Sequence, residues 1–403
     1  MDSAYLNAST LNATCPACGL LCDDVQLEIH QQKIQVRHPN CSKTKLFFEQ
    51  AQIVTTPKIS GKPASLQVAI YQAVQLLKAA KAPLFAGLST DILGFRTLYN
   101  LAQKTNASMQ HINAQSAQRN LRVLQSAGWQ TTTLTEVKNR ADLLVCFGTD
   151  IVTHNPRFFE RFIWVKDALF CDADGREIIY IGENINTSAG ISPAGKKPTV
   201  LACKTEDLPE VTAVLRALIQ GKTLKCTQVA GMSIRALYDI AIKLKQAKYG
   251  VLAWVAKDLN FPHAELTIQN ITESAVLLNQ TTRAASLALG GSDGDTSINY
   301  AHTWLSGVTL NDTPIAHDCM VWVYSFSPDQ LPRATQSPLI VFGQDDTAFE
   351  RVPDVFIPIA TPGLDCNGTL FRVDGSVTLP LKKCRDATHP TLSDILSQIE
   401  MQL

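Results

Sequence analysis

A chain of 403 residues that is 45% hydrophobic and 18% charged can bury two or three packed lobes, and its 36 basic against 36 acidic side chains give a formal net charge of +0 at pH 7. That balance argues against a nucleic-acid surface and against a polybasic membrane patch. No apolar run approaches a membrane span, and the polar stretch from Met1 to Thr14 carries no apolar leader, so the expectation is a cytoplasmic protein without membrane contact.

The first feature along the chain is a set of four thiols. Cys15, Cys18 and Cys22 follow C-x2-C-x3-C spacing, and Cys41 returns after an intervening stretch of eighteen residues. That stretch alternates apolar and polar residues in Val25–Ile29 and Ile34–Val36 around the polar Gln31-Gln32-Lys33, which predicts a hairpin that brings Cys41 back toward Cys22. Four thiolates around one centre suit a 4Fe-4S cluster or a structural zinc. Zinc ribbons use two C-x2-C knuckles, so the three-plus-one pattern favours the cluster, with zinc or no metal as the alternatives. Asp23 and Asp24 directly after Cys22 read as acceptors for turn backbone. The other seven cysteines, from Cys146 to Cys384, are isolated and mostly follow apolar runs, as buried free thiols of a reducing compartment do.

Beyond a connection that starts at Lys45–Phe48, helical spacing of Leu66, Ile70, Val74 and Leu77 predicts a helix over 64–80, stopped by Pro83. A short strand over 83–87 and a second helix through Phe95, Leu98 and Leu101 follow. Residues 113–128 show no regular pattern. Ala141–Gly148 is a continuous apolar run ending in glycine, as a strand buried on both faces of a parallel sheet would be, and the loop after it, with His154 and Arg157, is where such sheets bind ligands. Packing of this loop against the neighbouring lobe accounts for His154 and Arg157 at least as well. Another strand is expected at 177–182, an exposed loop at 189–199, helices at 209–218, 233–248 and 264–278, and strands at 250–255 and 285–288. A small acidic loop, Gly290–Asp295, leads to a short helix through Tyr300 and Trp304, and strands close the pattern at 319–324, 338–342 and 355–359. The predicted architecture is α/β, with parallel sheets and flanking helices in two interleaved lobes and a small N-terminal cysteine-rich subdomain. The boundaries read as 1–55 for the cysteine-rich part, 56–190 and 191–340 for the lobes, and 341–403 for a returning C-terminal segment.

The run CPACGLLCDD with its returning Cys41-Ser42-Lys43 resembles the iron-sulfur domain that opens the molybdopterin-dependent oxidoreductases. Residues 133–142, Phe147-Gly148-Thr149, His154–Arg157, Val355–Ala360, Asp365–Thr369 and Arg372-Val373-Asp374 are similar, in order, to the B subunit of formylmethanofuran dehydrogenase. The resemblance implies a cluster relaying electrons to a tungsten or molybdenum pterin held by a soft protein ligand in a Cys-His-Gly-Pro turn. In the wider family Lys43 would lie between cluster and pterin, although a solvated lysine explains it as well. Seventeen residues before Thr133, where that turn is expected, this chain reads Ser116-Ala117-Gln118-Arg119. Serine is a hard ligand and alanine moves no proton, so Ser116 and Ala117 mark a vestigial pocket and the tungsten or molybdenum pterin is expected to be absent. Asp293 and Asp295, with Arg283 as the nearest basic residue, are also unsuited to pterin phosphates.

A retained scaffold with an erased metal site resembles the B subunit of the formyltransferase/hydrolase complex of methylotrophic bacteria. That resemblance implies a noncatalytic member assembled with hydrolase, transferase and C-type subunits, in a complex that moves a formyl group from tetrahydromethanopterin to a furan-type carrier and releases formate. The alternatives are an active tungsten or molybdenum pterin catalytic subunit that uses Ser116 or a distant cysteine, and a standalone iron-sulfur or zinc protein.

Overall fold

The computed structural model describes residues 9–52, 54–310, 312–327, 331–344, 349 and 351–403. Residues 1–8 of the polar N-terminal run lie outside the described residues. Strands β1 (Ser9–Ala13), β2 (Val25–His30) and β3 (Lys33–His38) form an antiparallel sheet in that order. The expected hairpin is β2 and β3, turned by Gln31 and Gln32 at φ 46 and 70, and Val25, Leu27, Ile34 and Val36 supply its buried face. Lys45–Phe48 is not a connection but part of helix α1 (Ser42–Phe48), which forms because Thr44, Phe47 and Phe48 fall on one buried face.

The chain then pairs β4 (Lys58–Ile59) with β5 (Lys62–Pro63) and alternates: α2 (Leu66–Ala79), β6 (Pro83–Ser89), α3 (Ile92–Thr105), β7 (Ser108–His111). Ser65 caps α2 by accepting from Val68 N, and Asp91 caps α3 by accepting from Leu93 N and Gly94 N. Residues 114–126, irregular by sequence pattern, form α4 (Ala114–Ser126), followed by α5 (Leu134–Arg140), β8 (Leu143–Phe147), β9 (Glu177–Ile181) and β10 (Thr199–Leu201). A single π turn, Phe159–Ile163, leaves carbonyls that the buried Arg176 satisfies, among them Phe162 O at 2.8 Å. Next come α6 (Leu208–Ile219), started by Pro209, the short pair β11 (Gln228–Val229) and β12 (Met232–Ser233), α7 (Ile234–Gln246), β13 (Gly250–Val255), α8 (Glu265–Leu278) and β14 (Ala284–Leu289). The chain closes with α9 (Asp295–Ser306), β15 (Cys319–Tyr324), β16 (Leu339–Gly343), β17 (Val355–Pro358), the hairpin β18 (Gly368–Phe371) and β19 (Thr378–Leu381), and α10 (Leu392–Gln402), which opens on a Thr391/Asp394 capping box.

Two compact units result. The first comprises residues 1–114, 291–372 and 377–403, and the second residues 115–290 and 373–376. These bounds differ from sequence cuts at 190 and 340, because β8 and β9 pair in one sheet with β13 and β14, and β6 pairs with β15. Only nonlocal pairing reveals this, so composition could not place the boundary.

The second unit holds a five-stranded, fully parallel sheet of order β10-β9-β8-β13-β14. Counted within the unit, that is order 3-2-1-4-5, with its switch point between β8 and β13. The first unit holds a seven-stranded sheet, β5-β4-β17-β16-β15-β6-β7, whose last five strands run parallel. Here the order is 2-1-3-4-5 and the switch point lies between β6 and β15. Strands β6, β8, β13, β15, β16 and β17 are buried at every residue, as sheets covered on both faces require. No described helix is long and apolar enough to cross a membrane.

Candidate functional site

The cysteine loop is built tightly. Cys15 N donates to Cys22 O at 2.9 Å, Leu21 N to Cys18 O at 3.2 Å, and Leu21 takes φ 46 to close the turn. Thr44 Oγ1, from α1, lies 3.5 Å from Cys15 Sγ, and Gly19 N donates to Gly291 O at 2.8 Å. Cys15, Cys18, Cys22 and Cys41 are all buried free thiols. Burial, reinforced by Cys18 and then Cys22, pushes the Cys15 thiol far above its ordinary range. Four buried thiols have the donor chemistry of a cluster or a zinc site. Among the described residues, no group of three or more His, Cys, Asp or Glu side chains is arranged to hold a metal ion. Lys43 is half-buried on α1.

The second unit's switch point is occupied by its own side chains. His154, in the loop after β8, and Asp258, in the loop after β13, meet at 2.7 Å between Nε2 and Oδ1. The fully buried Asn155 exchanges two hydrogen bonds with Gly290 after β14, giving Nδ2 to O at 2.7 Å and accepting from N at 2.8 Å. Arg157 pairs with Glu160 at 2.6 Å, and Asp150 accepts from Thr153 N and Oγ1 and from Asn186 N. Helix α4 joins this set: Arg119 donates to Ala256 O at 2.7 Å and Asn260 Oδ1 at 2.6 Å, and Asn120 accepts from the buried Trp254 Nε1 at 2.8 Å. Ser116 and Ala117 lie half-buried near the start of the same helix. His154 and Arg157 thus bond to Asp258 and Glu160 of the same unit.

The first unit's switch point is different. Ser325 N donates to Ser89 O at 2.6 Å, and Gln344 Nε2 bridges Ser325 O at 3.1 Å and Thr361 Oγ1 at 2.7 Å, so a polar row crosses the ends of β6, β15, β16 and β17. Among the described residues the hydroxyls of Ser89, Thr90 and Ser325 and the Oε1 of Gln344 are buried without a hydrogen-bond partner, and these are the groups that could hold a polar ligand atom. The loop from Gly291 to Asp295 is drawn onto the same unit by β7 and its exit: Asn113 Nδ2 lies 3.1 Å from Ser292 Oγ and 3.3 Å from Asp295 Oδ2, and His111 Nε2 meets Asp293 O at 3.2 Å. Gly294, at φ 73, is required because a Cβ there would come within 2.5 Å of Thr90 O. This glycine therefore serves the chain's own packing and is not an open phosphate cradle.

A tungsten or molybdenum pterin does not fit these residues. Ser116 offers a hard oxygen and Ala117 nothing, and the acidic loop is bonded inward. Sequence reading did not single out Ser89, Ser325, Gln344, Arg119 or Asp258. Ser89, Ser325 and Gln344 did carry a signal, since each ends or directly follows a continuous apolar strand.

No protein-family model matches the chain. It is 24% identical over 420 residues to the B subunit of the tungsten-containing formylmethanofuran dehydrogenase 2 of Methanocaldococcus jannaschii, covering 95% of each chain. It is 26% identical over 250 residues to the B subunit of the formyltransferase/hydrolase complex Fhc of Methylorubrum extorquens, covering 62% of this chain and 63% of that one. Among solved structures, the formyltransferase/hydrolase complex FhcABCD of Methylorubrum extorquens with methylofuran matches at a TM-score of 0.70 and 20% identity over 86% of this chain and 98% of that one. Acetylene hydratase of Pelobacter acetylenicus matches at 0.67 and 9% identity, over 97% and 68%. The fold is molybdopterin-oxidoreductase-like, and in sequence the chain is similar to the B subunits of formylmethanofuran dehydrogenase and of the formyltransferase/hydrolase complex.

Proposed function

We propose that this chain is a noncatalytic scaffold subunit of a formyltransferase/hydrolase complex, assembled with hydrolase, transferase and C-type subunits. The observation that carries the reading is Ser116-Ala117 at the position where the resemblance puts a soft metal ligand and its histidine. The bonded switch point beside α4 supports it, because His154, Asp258, Arg119 and Asn260 direct their polar atoms at one another. In this reading the cysteine loop fastens the N-terminal sheet to its unit through the bond from Gly19 to Gly291, with or without a metal. In the same reading the complex works in the cytoplasm, a reducing compartment that eleven cysteines without a disulfide among them suit.

Anaerobic purification of the tagged chain, with subunit identification and analysis for iron, zinc, tungsten and molybdenum, tests this. Partner subunits should copurify, without tungsten or molybdenum. A stoichiometric pterin metal would overturn the reading. The near full-length similarity to a tungsten-containing enzyme favours a second one, a catalytic dehydrogenase subunit. Viologen-linked formate oxidation by the intact, metal-replete complex would establish that alternative. A chain that purifies alone would instead be a standalone protein.

A further inference from the structure

In the second unit, α6 and α7 pack side by side, and the chain leaving α6 turns at Gly221 beside them. Between them runs a trough of about 530 Å³ that no part of the switch point enters. Its floor is apolar, with Leu218 and Ala241 buried and Ile234 and Ile242 half-buried. Around it stand Lys222, Arg235 and Lys245, all exposed, and Tyr238, 42% exposed. Among the described residues no acidic side chain lines the trough. Arg235 pairs with Asp239 at 3.1 Å along the helix, and Lys245 Nζ approaches only the Leu218 carbonyl, at 3.5 Å. Among the described residues neither Lys222 nor Lys245 has a carboxylate within ion-pair reach.

In a chain whose charges balance overall, three cations and a phenol around the half-buried Ile234 and Ile242 form a complementary surface for the opposite pattern. We propose that this trough docks an acidic segment of a partner subunit, one that lays an apolar side chain on Ile234 and Ile242 and places carboxylates on Lys222 and Lys245. The pattern matches groove recognition of amphipathic segments, in which apolar anchors fix the segment and rim charges select it. The inference rests on the complex proposed above and adds the place on this chain and the chemistry of the segment it takes.

The test uses the full chain coexpressed with the other subunits of its complex. Zero-length carbodiimide coupling, which joins amines to carboxylates, should link Lys222 or Lys245 to an Asp or Glu of one partner subunit, and peptide mass spectrometry identifies the segment. The double variant Lys222→Glu/Lys245→Glu should retain that subunit at least about tenfold less well, since like charges then face each other across the contact. Unchanged circular dichroism and melting would show that the variant is folded, and the exposed pair Lys33→Glu/Lys62→Glu on the first unit serves as the charge control. Wild-type assembly with no crosslink from either lysine, or equal retention by the double variant, overturns the docking site and leaves the complex standing. The same holds if a partner-free chain binds citrate at these lysines and citrate fails to compete with assembly, for the trough is then a small-anion site. A wild-type chain that retains no subunit at all overturns both readings.

Discussion

At the switch point of the five-stranded sheet the loops after β8 and β13 are joined by His154 and Asp258, whereas at that of the seven-stranded sheet β6 ends in Ser89 and β15 is followed by Ser325, whose hydroxyls are buried with no partner among the described residues. Both places are where a doubly wound sheet offers a crevice to a ligand. The contrast teaches that topology supplies the location but not the capacity to bind. Capacity depends on which polar atoms remain unbonded, and at the switch point of the five-stranded sheet His154 and Asp258 bond to each other. A buried hydroxyl without a partner is a standing cost that a bonded pair does not carry, so the two points should answer substitution with opposite signs.

The largest effect is expected at Gly294, which holds the acidic loop against the seven-stranded sheet. Gly294→Ala combines a left-handed φ with a contact of 2.5 Å to Thr90 O and should cost about 3 kcal/mol in urea unfolding. Gly128→Ala, at φ 67 with nothing within 4 Å, should cost only about 1 kcal/mol. Equal losses would show that the Thr90 contact relaxes without cost. In the five-stranded sheet, Asn155→Ala strips both bonds from Gly290 and should cost about 2 to 3 kcal/mol. His154→Ala removes one partly exposed contact and should cost about 1 kcal/mol.

The sign reverses across the comparison at Ser89 and Ser325. Ser89→Ala and Ser325→Ala each delete an unpartnered buried hydroxyl and should leave stability unchanged or raise it by up to about 1 kcal/mol. A loss of stability in either variant would mean that the hydroxyl is bonded in solution, and the contrast between the two switch points would then narrow.

Much of this was legible in the sequence, for reasons particular residues make clear. Strands β8, β13, β15 and β16 are uninterrupted apolar runs because both their faces are covered, and the helices α2, α6, α7 and α8 place their buried residues at helical spacing. Helix α4 escaped notice because its sequence, AQSAQRNLRVLQS, is mostly polar and its ties run through Arg119 and Asn120. The edge strand β10 is three residues long and pairs on one side only, too short for a pattern. At the site, the cysteine spacing announced a loop because close thiols are a local signal. The pairing of His154 with Asp258, 104 residues apart, depends on β8 lying beside β13, and no local pattern carries strand order.

The smallest effect separates burial from helix polarity at Asp91, one residue beyond Thr90. Its carboxyl is 6% exposed and accepts from Leu93 N at 3.3 Å, Gly94 N at 3.0 Å and Thr369 N at 3.3 Å, yet burial outweighs these bonds and holds it above the usual carboxylate range. A carboxyl raised in the folded state binds its proton more tightly there. Its contribution to stability is therefore full below the unfolded value and is lost as pH rises through the folded one. Asp91→Asn keeps an acceptor for the cap and has no charge to lose, so its melting temperature should gain on the wild type between about pH 4 and pH 7. A variant that instead falls behind over that range would show that the positive end of α3 stabilises the carboxylate by more than burial penalises it. The first unit's switch point would then favour a charge as well as a polar atom.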